Sequence, residues 1–275
     1  MTVLIATTQP VASGDVRSNG IVARDLMRRA AAAQARLIQF SEGFLSGYAK
    51  EVVADWDDVD WDAVRSETDE IARLAAQLRL WVVLGSAHPL TPPHRPHNSL
   101  HVISDEGRIV DRYDKRFCSN TEITRFYSPG FEPVVFDVDG YRFGCLICIE
   151  VNFPELFAEY ERLGVDCLLL SAWPIDDIFL TKARALAAIN CCWLSLSVPW
   201  QSRSLMPSTI VGPDGRDLAT AGASTDPCVA TLDRSTPELH VALDLARPWR
   251  ATARHGDLYR SRRVVDARSS DRTCR

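Results

Sequence analysis

Residues 133–173 read PVVFDVDGYRFGCLICIEVNFPELFAEYERLGVDCLLLSAW, and they decide the fold. Two strand-like runs flank Asp139-Gly140, a residue pair suited to a tight hairpin turn. The second run, ending in GCLICI, is almost continuously apolar, as a strand covered on both faces would be. Pro154 then opens a short helix over residues 153–163, in the first turn, where its missing N–H is no loss. VDCLLLSAW is a further buried strand. A hairpin joined to a strand–helix–strand unit predicts an α/β sheet that is not purely parallel.

The same logic extends in both directions. Upstream, VLIATTQ, RLIQFSE and WVVLGSA read as strands. Residues 16–36 and 62–80 read as amphipathic helices, the second with Ile71, Leu74, Ala75 and Leu78 at helical spacing. NSLHVISDEGRIVDRYDKR is a hairpin around Asp105, Glu106 and Gly107. Downstream come a helix (TKARALAAIN), a strand (CCWLSLSVPW), a hairpin (STIVGPDGRDLA) and a last strand, CVATLD. Two sets of strands with helices between them predict α/β layers in which helices cover two sheets. HGDLYRSRRVVDARSSDRTCR, at the C-terminal end, is basic and polar and reads as an arm or partner-contacting tail. There is no GxGxxG or GxxxxGK[ST] to cradle a phosphate.

Composition narrows the class. The 275 residues are 46% hydrophobic, enough for a large core and too many for a disordered chain. Lys+Arg 31 against Asp+Glu 36 gives a net charge of −5, which offers no basic face to a nucleic acid. No apolar run approaches the roughly 18 residues of a membrane span. MTVLIATTQP lacks a basic n-region and a small-residue cleavage site, so it predicts a buried first strand rather than a signal peptide. The eight cysteines are Cys118, Cys145, Cys148, Cys167, Cys191, Cys192, Cys228 and Cys274. Several sit in apolar strand-like runs, where a free thiol packs as a small hydrophobe, and a reduced, cytoplasmic setting follows. Lysine occurs only at Lys50, Lys115 and Lys182, while the other 28 basic residues are arginine. Each surviving lysine is therefore a candidate for a position that needs an ammonium.

Three polar residues close buried strands. Glu42 ends RLIQFSE, Lys115 ends GRIVDRYDK and Cys148 ends FGCLIC. Singly, each has an ordinary reading: a solvated loop carboxylate, a surface lysine, a core cysteine. Together, a carboxylate, an ammonium and a thiol supply a general base, an oxyanion stabiliser and a nucleophile for acyl transfer. Cys145 and Cys148 form a CxxC, but residues three apart on a strand face opposite sides, unlike a redox pair at a helix N-terminus. His94 and His97, in a Pro-rich loop, lack companions at metal-ligand spacing.

At these residues the sequence resembles the nitrilase superfamily, the carbon–nitrogen hydrolases, from about Val3 to about Tyr259. LIQFSEGFLSGY resembles the family's first signature, NSLHVISDEGRIVDRYDKRF its lysine segment and LICIEVNFPE its cysteine segment. TEITRFYSPG resembles the segment that carries a second glutamate. The resemblance implies a four-layer α-β-β-α sandwich with two pseudo-symmetric halves over residues 1–259, with residues 260–275 as a basic tail. It implies Glu42 as general base, Lys115 as catalytic lysine, Cys148 as nucleophile and Glu122 as the positioning glutamate. The backbone N–H of Ile149 would share the oxyanion with Lys115. Tyr48 and Trp173 fall where family members contact substrate, and core packing explains either equally well. No metal or organic cofactor is required, and a homodimer or higher homo-oligomer is expected. The chain departs from the family pattern at Ser41, Arg116-Phe117, Glu150 and Ile189. The substrate implied is a small linear amide. A nitrilase or N-carbamoyl hydrolase would use the same triad, and a catalytically silent dimeric binding protein would share the fold.

Overall fold

The computed structural model describes residues 2–270 and 273. In the first sheet β1 (Thr2–Thr7), β2 (Leu37–Gln39) and β3 (Trp81–His88) run parallel. They are joined by α1 (Val16–Ala32) and α2 (Trp61–Leu78). Each helix starts at an aspartate: Asp15 accepts from the N–H groups of Arg17 and Ser18, and Asp60 from that of Ala63. β4 (His97–Ile103) and β5 (Ile109–Asp114) complete an antiparallel edge.

The second sheet repeats the plan. β6 (Val135–Val138) and β7 (Tyr141–Ile147) form the expected hairpin. α3 (Pro154–Arg162) and α4 (Ile178–Asn190) connect β7 to the parallel strands β8 (Cys167–Ser171) and β9 (Trp193–Ser197). β10 (Thr209–Val211) and β11 (Asp217–Thr220) form the antiparallel edge. β12 (Cys228–Asp233) then crosses back to the first sheet and pairs antiparallel with β1, Thr2 opposite Asp233 and Thr7 opposite Cys228. The sheet orders are β12-β1-β2-β3-β4-β5 and β6-β7-β8-β9-β10-β11. From edge to edge both read antiparallel, parallel, parallel, antiparallel, antiparallel, which makes the two halves pseudo-symmetric.

Strand alternation sets the layers. Val3, Ile5, Leu37, Val83, Leu100 and Val102 face the second sheet, in one core with Phe143, Cys145 and Leu169. Their neighbours Ala6, Ile38, Val82 and Leu84 face α1 and α2 and pack on Leu26, Met27, Ile71 and Ala75. Phe157, Leu180, Ala183 and Ala187 put α3 and α4 on the far side of the second sheet. The result is the α-β-β-α sandwich. Buried hydroxyls clamp the sheets together where their parallel strands end. Ser171 Oγ donates to the Phe40 carbonyl at 2.7 Å and Ser197 Oγ to that of Thr8 at 2.8 Å. Gln39 Nε2 donates to Ser171 Oγ at 3.1 Å.

One expectation needs correction. Strand pairing of RLIQFSE stops at Gln39, so Glu42 stands beyond β2 rather than closing it. Beyond β12 the chain adds α5 (Arg247–Arg254), to which the sequence reading assigned nothing, and then α6 (Asp257–Ser261) and α7 (Ala267–Ser270) within the basic C-terminal stretch. α5 is fastened by arginines instead of an apolar stripe. Arg247 pairs with Asp166 at 3.0 Å, Arg254 with Glu161, and Arg250 donates to the Ala188 carbonyl at the end of α4 at 2.7 Å. Cations suit a helix C-terminus, but this kind of attachment leaves no hydrophobic periodicity to read. Cys274 lies outside the described residues. Among those described, no helix is long and apolar enough to cross a membrane.

Candidate functional site

Glu42, Lys115 and Cys148 come from three strand ends to the clamped edge of the sandwich. Glu42 follows β2, and the chain reaches it past Gly85 of β3, where a Cβ would lie 2.0 Å from the Ser41 carbonyl oxygen. Only glycine lets that backbone approach. Lys115 follows β5. Its carbonyl accepts from Gly130 N–H at 2.9 Å, and a Cβ on Gly130 would meet the Asp114 carbonyl oxygen at 2.3 Å.

The Lys115 side chain is wholly buried. Its Nζ donates to Glu42 Oε1 at 2.8 Å and to Glu122 Oε1 at 2.7 Å. Burial opposes the ammonium, but the two carboxylates outweigh it and hold its pKa well above the ordinary lysine value. The carboxylates are pushed apart. Burial, the largest influence on Glu42, raises its pKa despite Lys115. Burial acts upward on Glu122 too, but Lys115 and two hydrogen bonds from Ser119 bring it below the usual range. Ser119 N–H donates to Glu122 Oε2 at 2.7 Å. Two carboxylates on one ammonium with divergent pKa values suit different tasks, one exchanging a proton and one staying charged.

Cys148 is the first residue of a 3-10 turn, Cys148–Asn152, just past β7. Its φ is +49°, in the left-handed region that costs a side chain with a Cβ about 1–2 kcal/mol. The turn lifts its thiol out of the register that buries Cys145 in the core. Cys148 Sγ donates to the Trp173 carbonyl at 3.7 Å, and Trp173 N–H donates to Glu42 Oε2 at 2.8 Å. One backbone unit thus touches both groups. Burial first, and then the Glu42 charge, push the Cys148 thiol far up, so the resting group is a neutral thiol needing a base.

A cavity of about 150 Å³ opens above this set. Cys148, Ile149, Glu122, Tyr48 and Trp173 line it, whereas Glu42 and Lys115 are buried and do not line it, Lys115 reaching it through Glu122. Tyr48 and Trp173 stack, with ring centroids 5.4 Å apart. Tyr48 OH donates to Glu122 Oε1 at 3.1 Å. His97, by contrast, turns its Nδ1 to the Ser128 carbonyl at 2.9 Å. Among the described residues no group of three or more His, Cys, Asp or Glu converges as metal ligands would.

Two members of the site were not assigned roles from the sequence. Asn98 Nδ2 donates to Glu42 Oε1 at 2.8 Å, fixing the carboxylate from β4. Glu150 is fully buried and joins two loops. Its Oε2 accepts from Ile147 N–H at 2.7 Å, and its Oε1 from the N–H groups of Arg116 and Phe117 at 2.8 and 3.1 Å. Tyr113 OH adds 2.8 Å contacts to both oxygens. The turn bearing Cys148 is thereby tied to the segment that follows Lys115. Either orientation of a Glu150→Gln amide sets an NH₂ against an N–H. We expect that variant to lose about 2 kcal/mol of stability, near the middle of the range for a hydrogen bond to a charged group. At roughly 2–4 °C per kcal/mol, calorimetry should show a lower melting temperature. An unchanged melting temperature would mean that the link is dispensable.

The family model described as carbon-nitrogen hydrolase matches residues 4–239. The chain is 26% identical to the chloroplastic omega-amidase of Arabidopsis thaliana, over 97% of this chain and 75% of that protein. It is 30% identical to the 2-oxoglutaramate amidase of Bacillus subtilis, over 50% of this chain and 56% of that protein, little more than half of its length. Among solved structures, an amidase from Nesterenkonia sp. aligns with a TM-score of 0.75 at 20% identity, covering 90% of this chain and 96% of that one. A mutant of that amidase, with a TM-score of 0.77 at 20% identity over 95% of this chain and 97% of that one, shows covalent addition of the acetamide moiety of fluoroacetamide at the active site cysteine. At such identity the likeness is one of fold.

Proposed function

The chain belongs to the carbon-nitrogen hydrolase family, and from that premise we propose that it is a thiol-dependent amidase, converting small linear amides to acid and ammonia. The observation that carries the reading is the buried Glu42–Lys115–Glu122 set beneath a cavity lined by Cys148. Glu42 accepts the thiol proton as Sγ attacks the amide carbon. The carbonyl oxygen becomes an oxyanion facing Lys115 Nζ and the Ile149 N–H, which lies at the start of a turn where N–H groups lack intrahelical acceptors. Glu42 returns the proton to nitrogen, the C–N bond breaks and ammonia leaves a thioester. A water deprotonated by Glu42 attacks that thioester, and the acid and the thiol are released. Glu122 stays ionised and steers Lys115. Tyr48 and Trp173 form a wall against the substrate.

The amidase names of the relatives favour an amide over a nitrile as substrate. Ammonia release from matched amides and nitriles tests the reading: we expect turnover of amides, and release from nitriles alone would overturn it. The same assay carries a pH signature. Glu42 must be ionised, and its pKa is raised, so kcat/KM should fall on acidification at a pH above that of an ordinary glutamate.

The reading extends to a cytoplasmic homodimer or higher homo-oligomer. Free cysteines support the compartment. Exposed Leu245, Trp249 and Tyr259 near the C-terminal end support self-association, which sedimentation measures.

A further inference from the structure

Arg116 stands directly after Lys115, where the chain departs from the family pattern, and the acyl-transfer steps do not use it. Its side chain is nearly buried. Nη1 pairs with Glu159 Oε2 of α3 at 2.7 Å. The guanidinium lies against the rings of Tyr113 and Tyr160, 5.8 and 6.0 Å from their centroids. Nε donates to Tyr113 OH at 3.4 Å, while Nη2 is buried and meets no acceptor among the described residues. A buried donor left bare opposes folding, so stability alone does not explain the arginine. Tyr113 OH is 2.8 Å from both oxygens of Glu150. Contacts thus run from guanidinium through phenol to the carboxylate that anchors the turn of Cys148 and Ile149. Every partner of Glu150 is a donor: Tyr113 OH and the N–H groups of Ile147, Arg116 and Phe117. A protonated Glu150 would set an O–H against those donors, and the turn would have to move. Burial is the largest influence on Glu150 and raises its pKa, so its charged form needs support. Cys118, Cys145, Tyr113 and Tyr160 also face it, and burial raises the pKa of each, which leaves them neutral. The cations there are Lys115, already shared by Glu42 and Glu122, and Arg116.

We propose that Arg116 is a positioning residue that acts through Tyr113 OH to keep Glu150 a charged acceptor, and so holds the turn that carries Cys148 and the Ile149 N–H. This deepens the amidase reading and rests on it. A cation on the phenol oxygen makes the O–H a stronger donor to Glu150. Without that cation Glu150 takes a proton from solvent at a higher pH, the turn loses its anchor, and attack by the thiol slows. The defect is therefore present at low pH and absent once Glu150 is ionised again. Glu159 on α3 holds the guanidinium in place for this task.

The test measures kcat and KM for butyramide between pH 6 and pH 9 on the wild type, Arg116→Met, Arg116→Lys and Tyr113→Phe. Dividing each variant by the wild type removes the acid limb of Glu42, which all four share. We expect kcat of Arg116→Met to be about tenfold below wild type at pH 6 and within about threefold of it at pH 9, with KM unchanged. Tyr113→Phe, which cuts the link and leaves the ion pair, should show the same profile, and it decides the matter by itself if Arg116→Met does not fold. Arg116→Lys keeps the cation and should recover most of the kcat lost at pH 6. A deficit equal at every pH, as packing damage alone produces, overturns the proposal, and so does no deficit at pH 6, a loss confined to KM, or an Arg116→Lys as slow as Arg116→Met. Each of those results leaves the amidase reading standing. A wild type that does not turn over butyramide counts against the amidase reading instead. The alkylation rate of Cys148 by iodoacetamide, followed by mass spectrometry over the same pH range, then decides the role of Arg116: a variant-to-wild-type ratio that rises with pH supports it, and a constant ratio overturns it.

Discussion

Cys148→Ala should abolish amide hydrolysis, by roughly 10⁴-fold or more, as removal of a covalent nucleophile does. Cys145→Ala should keep most of it. The two cysteines are three residues apart, yet their surroundings differ completely. Cys145 is paired with Leu169 inside the sheet and sits wholly in the core, where no substrate reaches it. Cys148 has left the strand, lines the cavity and hydrogen-bonds the same backbone unit that holds Glu42. Removing its sulfur takes away the atom that attacks carbon, with little packing lost. Both variants should remain folded, Cys145→Ala paying about 1 kcal/mol or more for the small void it leaves. Turnover on an amide substrate, with mass spectrometry of an acyl adduct on the wild type, checks the assignment. An active Cys148→Ala beside an inactive Cys145→Ala would place the nucleophile on the wrong residue.

Lys115→Arg should be nearly as inactive as Lys115→Ala, although this chain uses arginine almost everywhere else. The ammonium sits with no exposure, 2.7 and 2.8 Å from two carboxylate oxygens. Arginine keeps the charge but brings a planar fork that pairs bidentately with Glu42 or Glu122 and ties up the base. Lys115→Ala also leaves two carboxylates without their cation, and breaking a buried pair in this way costs about 3–5 kcal/mol. Melting temperatures are therefore measured beside turnover, to separate unfolding from lost chemistry. A folded Lys115→Arg with a turnover number within about threefold of wild type, a barrier change under roughly 0.7 kcal/mol, would remove Lys115 from the mechanism.

The candidate residues of the site could be picked out because they lie at punctuation points. Glu42, Lys115 and Cys148 each follow a strand that hydropathy alone outlines. The rarity of lysine marked Lys50, Lys115 and Lys182 as candidates for positions that need an ammonium, though not that Lys115 alone is buried between two carboxylates. Asn98 and Glu150 were less readable. Asn98 Nδ2 finds Glu42 across 56 positions of sequence, and Glu150 is indistinguishable from any glutamate after a strand until its donors are in place. The missed α5 is a similar case. Its arginines look like solvent-seeking charges, and only the carbonyls at the end of α4 and the carboxylates of Asp166 and Glu161 explain them.

Periodicity along the chain determined the layers by itself. Alternating and continuous apolar runs, helical stripes and turn pairs are local signals, and a sheet with helices on its outer face follows from them. Tertiary structure alone decided the closure. β12 returns to pair with β1 because the edge of the first sheet is open there, a requirement set by strands more than two hundred residues away. It also decided the protonation pattern. Glu42 and Glu122 are the same residue type, and only burial, one shared ammonium and the Ser119 hydrogen bonds drive their pKa values in opposite directions. Electrostatic free energy depends on distance and desolvation, and neither exists until residues far apart in the chain are packed together.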